Sequence, residues 1–152
     1  YVYDYTANVF CIIKIPNHKP KIIKNQCSTI DIFPTIAEII QHPLENEFSN
    51  VQGKSLFSLI DSSKNRDVFI ETGGLYGPWP SPKKHNVFCI KSNNKKLIYN
   101  DIPESWEFYD LLNDSSEQEN IYHESSDEIK LMKNKLITHM KENNIYTKIT
   151  TN

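Results

Sequence analysis

The 152-residue chain has no apolar run near the roughly 20 residues that span a bilayer; its longest is the short stretch from Val9 to Ile13. No membrane span is expected. There is no excess of either charge: 17 Lys and Arg stand against 19 Asp and Glu, giving a formal charge of -2. The basic residues are scattered rather than blocked, so neither nucleic acid nor an anionic membrane is implied as a partner. Three cysteines, odd in number and widely spaced, make neither a disulfide framework nor a zinc site, and Cys11 and Cys89 sit in apolar runs that predict buried thiols. The redox compartment stays open. The chain begins at Tyr1, and its early apolar run lacks the basic start and small-residue cleavage site of a signal peptide, so it reads as a piece of something longer.

What is present suffices for one ordinary domain with a real core, at 38% hydrophobic and 24% charged residues. Val9-Phe10-Cys11-Ile12-Ile13 reads as a central strand of a parallel sheet, ended by Lys14-Ile15-Pro16-Asn17, and Lys21-Ile22-Ile23 as a second short extended segment. Ser28-Thr29-Ile30-Asp31 supplies capping side chains and Pro34 suits a first helical turn. Ile32, Phe33, Ile36, Ile39 and Ile40 then recur at helical spacing and predict an amphipathic helix. A polar stretch from Glu45 to Gln52 and a short helix after Gly53 follow.

Asp67–Glu71 reads as a strand. Asn86–Lys91 and Lys95–Asn100, separated by Ser92-Asn93-Asn94, read as an antiparallel hairpin, with Glu107–Leu111 as its third strand. Ile129, Met132, Leu136, Ile137 and Met140 share one face of a helix from about Asp127 to Asn143, and Tyr146–Asn152 reads as a frayed tail. The order predicts an α/β edge over 1–62, a small antiparallel α+β subdomain over 63–145 and a tail over 146–152.

Between the strands at 67–71 and 86–91, Thr72–Pro82 is too rich in Gly and Pro for regular structure. It carries Tyr76 and Trp79 and is followed by Lys83, Lys84 and His85, the aromatic faces and cations that a sulfate-ester or sugar pocket would use. The alternative is an ordinary surface loop pinned by prolines. Asp31 reads as a cap or first-turn carboxylate rather than a metal ligand. Tyr109 and Asp110 read as packing and a turn hydrogen bond. His18, His42, His123 and His139 have no partner at a ligand spacing and read as solvated or capping.

Four segments, in order, resemble the carboxy-terminal portion of sulfatases. Asn8–Pro16 is similar to the strand those enzymes write V-P-L-I-I-x-x-P, with Phe10 for the proline. Ser28-Thr29-Ile30-Asp31-Ile32-Phe33-Pro34-Thr35-Ile36 resembles S-x-x-D-[LI]-x-P-T-[LI], and Gln52-Gly53-Lys54-Ser55-Leu56 the following G-[RK]-S-L turn. Lys91–Tyr99 is similar to T-x-x-x-K-Y-I-Y, with Lys96 and Tyr99 at its end. Phe108–Asp114 with Glu117, Glu119 and Asn120 resembles the closing motif Y-D-L-x-x-D-P-x-E-x-x-N-L, with Ser115 for the proline and Ile121 for the leucine.

The resemblance implies the C-terminal part of an alkaline-phosphatase-like α/β fold: one or two strands and a helix of the main sheet, then a small antiparallel sheet with a closing helix. It implies a sulfuric ester hydrolase whose formylglycine, made from the Cys or Ser of C/S-x-P-x-R, and whose calcium-like divalent cation belong to an N-terminal catalytic part. No cysteine here has proline and arginine at those offsets, so no catalytic residue, metal ligand or cofactor is expected in this chain, which alone would be inactive. His85, Lys84, Trp79 and Tyr76 are the expected contacts to a sulfate-ester substrate. Two rivals stay open: a phosphodiesterase, phosphonate hydrolase or phosphoglycerol transferase of the same superfamily with an upstream Thr or Ser nucleophile, and a catalytically inactive fragment.

Overall fold

The computed structural model describes residues 2–42, 51–60, 66–73, 86–145 and 147–151, and the chain divides into two compact units, Tyr1–Ile12 with Phe69–Asn152 and Ile13–Val68. The first unit holds strands β1 (Val68–Thr72, from Phe69 onward), β2 (Val87–Ser92), β3 (Lys95–Asn100) and β4 (Ser105–Asp110), in sheet order β1-β2-β3-β4. β2 and β3 pair antiparallel with Ser92 opposite Lys95. That register leaves a two-residue turn in which Asn93 takes a left-handed φ of 52°, a conformation asparagine tolerates better than most residues. β3 and β4 also pair antiparallel, Lys95 opposite Asp110 and Asn100 opposite Ser105.

Side chains alternate across a strand, and both faces of this sheet are apolar, which is why β2 and β3 read as nearly continuous buried runs. Phe88, Ile90, Leu97, Tyr99 and Phe108 face Ile129, Met132, Leu136 and Met140 of the helix Asp127–Glu142. Each fully buried aliphatic side chain there contributes about 1.5–3 kcal/mol relative to exposure. The helix starts where Ser126 accepts from the Ile129 N–H, and Asp127 and Glu128 sit in its first turn, where the helix dipole favours negative charge. The opposite face gathers Val2, Val87, Cys89, Ile98 and Tyr109, with Tyr3 packed against them beside the short helix α1 (Asp4–Ala7).

Beyond β4 the closing segment seals the sheet edge. The Phe108 N–H donates to Asn120 Oδ1 at 2.9 Å, the Ile121 N–H to the Phe108 carbonyl at 2.9 Å, and Asn120 Nδ2 to the Trp106 carbonyl at 3.4 Å. An exposed strand edge templates association, and here a side-chain amide occupies part of it.

The second unit contains a 3-10 turn (Thr29–Asp31) running into α2 (Ile32–Ile39), and the short α3 (Phe57–Ile60). The predicted helix is present, but it turns its small residues inward. Pro34, Thr35 and Ala37 are buried, while Ile32, Phe33, Ile36 and Ile40 are exposed. The predicted strands at Val9–Ile13 and Lys21–Ile23 do not form: neither stretch is in a strand, and Phe10 is 90% and Ile12 86% exposed. A strand exists only through its ladder partners, and among the described residues none lies beside these. The expected polar stretch from Glu45 lies mostly outside the described residues.

Candidate functional site

His85, Lys84, Trp79 and Tyr76, the residues the sequence singles out for substrate contact, lie outside the described residues. In sequence they fall between β1 and β2, two strands that are neighbours in the sheet order. Just before β2, the Asn86 carbonyl accepts from the Asp101 N–H at 3.0 Å, which fastens the start of β2 to the turn between β3 and β4.

Among the described residues of the first unit, a dense group of ionisable side chains stands on the sheet face away from the long helix. Lys96 alternates with Ile98 toward this face, and its side chain is fully buried. Its Nζ lies 2.5 Å from Asp4 Oδ1, 2.7 Å from Glu117 Oε1 and 3.1 Å from the Val2 carbonyl. Lys91 reaches the other Asp4 oxygen at 2.7 Å, and the Asp4 N–H donates to Glu117 Oε2 at 2.6 Å. Three stretches far apart in sequence, 2–4, 91–96 and 117, are thereby tied into one network. Burial pulls the Lys96 ammonium toward deprotonation, but its bonds to Asp4 and Glu117 more than offset this and raise its pKa above the ordinary value. Burial also pushes the Asp4 carboxyl up, and the bonds from Lys91 and Lys96 reverse that and hold it below the usual range.

Beside it, Glu107 accepts from Tyr3 Oη and Tyr109 Oη at 2.7 Å each and from Asn100 Nδ2 at 2.7 Å. Burial, then the bond to Glu107, pushes the Tyr3 phenol up to about 12 and raises that of Tyr109 further. Cys89 is fully buried, and desolvation drives its thiol up to about 12. This face therefore holds a doubly paired ammonium, protonated phenols and a protonated thiol. Among the described residues it has no free base and no activated nucleophile, and its chemistry is attachment of the N-terminal residues to the sheet. The thiol expectation holds for Cys89 alone, since Cys11 and Cys27 are exposed: the strand that was to bury Cys11 does not form.

In the second unit Asp31 is fully buried and serves the helix start, as its position beside Pro34 implies. Its carboxylate accepts from the Ser28 N–H at 2.7 Å and the Lys54 N–H at 2.9 Å, and it pairs with Arg66. Thr35 Oγ1 accepts from the Leu56 N–H at 2.8 Å. The two segments that resemble S-x-x-D-x-x-P-T and G-K-S-L are thus one knot. Gly53 is required in it, because a Cβ there would stand 2.0 Å from the Ile30 carbonyl oxygen. Both Asp31 oxygens are thus engaged within the knot. Among the described residues no group of three or more His, Cys, Asp or Glu could hold one, so these residues do not fit the divalent cation that the resemblance implies.

In the closing motif Asp110 accepts from the Leu112 N–H and from Asn113 and pairs with Lys95 at 2.8 Å. Asp114 accepts from the Gln118 and Glu119 N–H groups, which hold its carboxyl below the usual range. Both are turn-builders. Sequence reasoning missed Glu107 and the Lys96 network. The only signal for Lys96 was its place in the K-Y-I-Y resemblance, because its two carboxylate partners are remote in sequence.

A four-stranded sheet closed by one long helix, with this motif order, is the carboxy-terminal architecture of sulfatases. The family described as N-sulphoglucosamine sulphohydrolase, C-terminal, matches residues 1–145, and the chain belongs to that family. Among solved structures, BT4656 in complex with its substrate D-glucosamine-2-N,6-O-disulfate aligns with a TM-score of 0.60 and 24% identity over 78% of this chain and 25% of that one. BT1596, a 2-O GAG sulfatase, aligns with a TM-score of 0.56 and 13% identity over 75% of this chain and 24% of that one. The Ps i-CgsB crystal structure gives 0.57 and 17% over 84% and 26%. Likeness at these identities is likeness of fold. The chain spans about a quarter of the length of each of these structures. No curated protein matches.

Proposed function

We propose that this chain is the carboxy-terminal part of a sulfuric ester hydrolase acting on a sulfated amino sugar, in which it completes the fold and borders the substrate pocket. The observation that carries this reading is the family match across residues 1–145. The exposed apolar stripe of Ile32, Ile36 and Ile40 on α2 supports it, because a helix that buries its small residues and exposes its large ones is built to be covered. The amino-sugar class is drawn from the family description and from the disulfated glucosamine bound by BT4656. In this reading the formylglycine nucleophile and the calcium-like ion belong to the preceding catalytic part. His85, Lys84, Trp79 and Tyr76 give this chain's contribution: cations for a sulfate and aromatic faces for a sugar ring.

The test begins with the reading frame upstream of Tyr1, where C/S-x-P-x-R is expected. The full product, made together with a formylglycine-generating enzyme, should release sulfate from glucosamine N-sulfate, and the 152-residue chain alone should release none. His85→Ala in the full product should raise KM about tenfold with kcat within about twofold, the pattern of binding lost equally from ground and transition states. Turnover by the chain alone, or a bare upstream Thr or Ser with phosphodiester hydrolysis, would overturn the reading.

A further inference from the structure

Residues 2–4 are held to the sheet by their backbone as well as by their side chains. The Val2 carbonyl accepts from Lys96 Nζ at 3.1 Å, and the Asp4 N–H donates to Glu117 Oε2 at 2.6 Å. Lys96 Nζ also joins Glu117 Oε1 to Asp4 Oδ1, at 2.7 and 2.5 Å, so both backbone pins belong to one ion group. Lys91 takes the other Asp4 oxygen, and Tyr3 Oη donates to Glu107 at 2.7 Å. Beyond α1 the hold ends: Val9, Phe10 and Ile12 are exposed.

Stability alone does not require such a group, because a buried ion pair replaced by apolar residues of similar volume often leaves a protein as stable or more so. What it adds is register. Val2 packs against Val87, Cys89, Ile98 and Tyr109, and apolar contact is non-directional, so that burial is compatible with the chain shifted along the face. A carbonyl and an N–H two residues apart, each engaged by a fixed partner, permit one setting. A slip of one residue would leave the buried Lys96 and Glu117 facing the wrong backbone groups, and unmade bonds to buried charges are costly.

We propose that Lys96 and Glu117 form a register lock for the polypeptide that enters this unit at Tyr1, which makes Lys96 a positioning residue for the sulfatase reaction. This role depends on the catalytic part proposed to precede Tyr1, whose last segment reaches the sheet through residues 2–4. A displacement of about 1 Å at a catalytic group costs up to about 100-fold in rate, so lost register acts on turnover.

Lys96→Met combined with Glu117→Leu, made in the full reading-frame product, removes the lock without orphaning either charge. Its kcat for glucosamine N-sulfate should fall about ten- to hundredfold with KM within about twofold. Asp4→Asn keeps every apolar contact and the Glu117 pin, and should lower kcat at least about threefold. Leu136→Ala weakens the same sheet from its other face and should leave kcat within about twofold, which separates register from stability. Amides within about ten residues upstream of Tyr1 should exchange at least about fivefold faster in the double variant and not in Leu136→Ala. Unchanged kcat in both lock variants of an active parent, or unchanged exchange, would overturn the lock. A parent that releases no sulfate overturns the hydrolase reading instead, and the exchange then decides the lock by itself.

Discussion

Replacing Lys96 by methionine removes one ammonium and little volume, so it isolates the charge. In the native protein that ammonium balances Glu117, whose side chain is 2% exposed, and Asp4, whose side chain is 19% exposed. After substitution Asp4 retains Lys91, but Glu117 keeps, among the described residues, only the Asp4 N–H and faces a methionine. Breaking a buried pair from one side costs about 3–5 kcal/mol, because the orphaned charge stays desolvated. At about 2–4 °C per kcal/mol for a chain of this size, the melting temperature should fall by about 6–20 °C. Circular dichroism melts of the parent, Lys96→Met, Glu117→Leu and the double variant give the cycle. The double variant should be more stable than additivity allows, by about 1–3 kcal/mol of coupling.

The pH dependence supplies a second reading of the same network. The folded pKa of Asp4 is lowered, so its contribution is present above the unfolded value of about 3.9 and is lost as pH falls through the folded one. The folded pKa of Lys96 is raised, so its contribution is present below about 10.4 and is lost as pH rises through the folded value. The network is therefore at full strength between roughly pH 5 and 10. Lys96→Met should flatten the acid limb between roughly pH 5 and 3, since Asp4 then loses one of the two cations that depress it. A melting temperature within about 2 °C of the parent, or an unchanged acid limb, would refute the reasoning, because both follow from one buried ammonium.

Gly53→Ala should loosen the second unit by about 1–3 kcal/mol, the usual cost of overpacking, seen as faster amide exchange at Lys54 and Leu56; unchanged exchange would contradict the contact with the Ile30 carbonyl. Asn120→Ala strips the acceptor from the Phe108 and Tyr122 N–H groups and should cost about 1–3 kcal/mol in urea unfolding, with more self-association in light scattering as the β4 edge opens. Leu136→Ala empties a site 1% exposed between helix and sheet and should cost about 2–5 kcal/mol in the same titration, whereas Leu131→Ala, on the exposed side of that helix, should stay within about 0.5 kcal/mol.

The parts of the fold legible in the sequence are those built from neighbours. The β2–β3 hairpin follows from two apolar runs around a short polar turn, and the helix Asp127–Glu142 from a 3.6-residue period ending in Asn143. Lys96 escaped because its partners lie 92 and 21 residues away, and no pattern within β3 distinguishes a lysine that points to solvent from one that points to a buried carboxylate. Glu71 of β1, 3.2 Å from His139 Nε2, lies 68 residues from it and escaped for the same reason. Asp31 was legible because a cap acts within its own turn, although its tie to Lys54 was not.

Helix α2 and the run at Val9–Ile13 show what hydrophobic periodicity does and does not contain. The period of Ile32, Ile36 and Ile40 states that one face avoids water, and it is silent on which polypeptide covers that face. In the first unit the long helix buries its stripe against the unit's own sheet, so period and burial agree at Ile129, Met132, Leu136 and Met140. In the second unit the inward contacts are made instead by Pro34, Thr35 and Ala37 around the Asp31 knot, which consists of hydrogen bonds and needs close backbone approach rather than bulk. Small residues there are a condition of the knot, since a larger side chain at Gly53 would meet the Ile30 carbonyl. The large residues are consequently left to the outer face, where burying each would contribute about 1.5–3 kcal/mol once a covering surface is supplied.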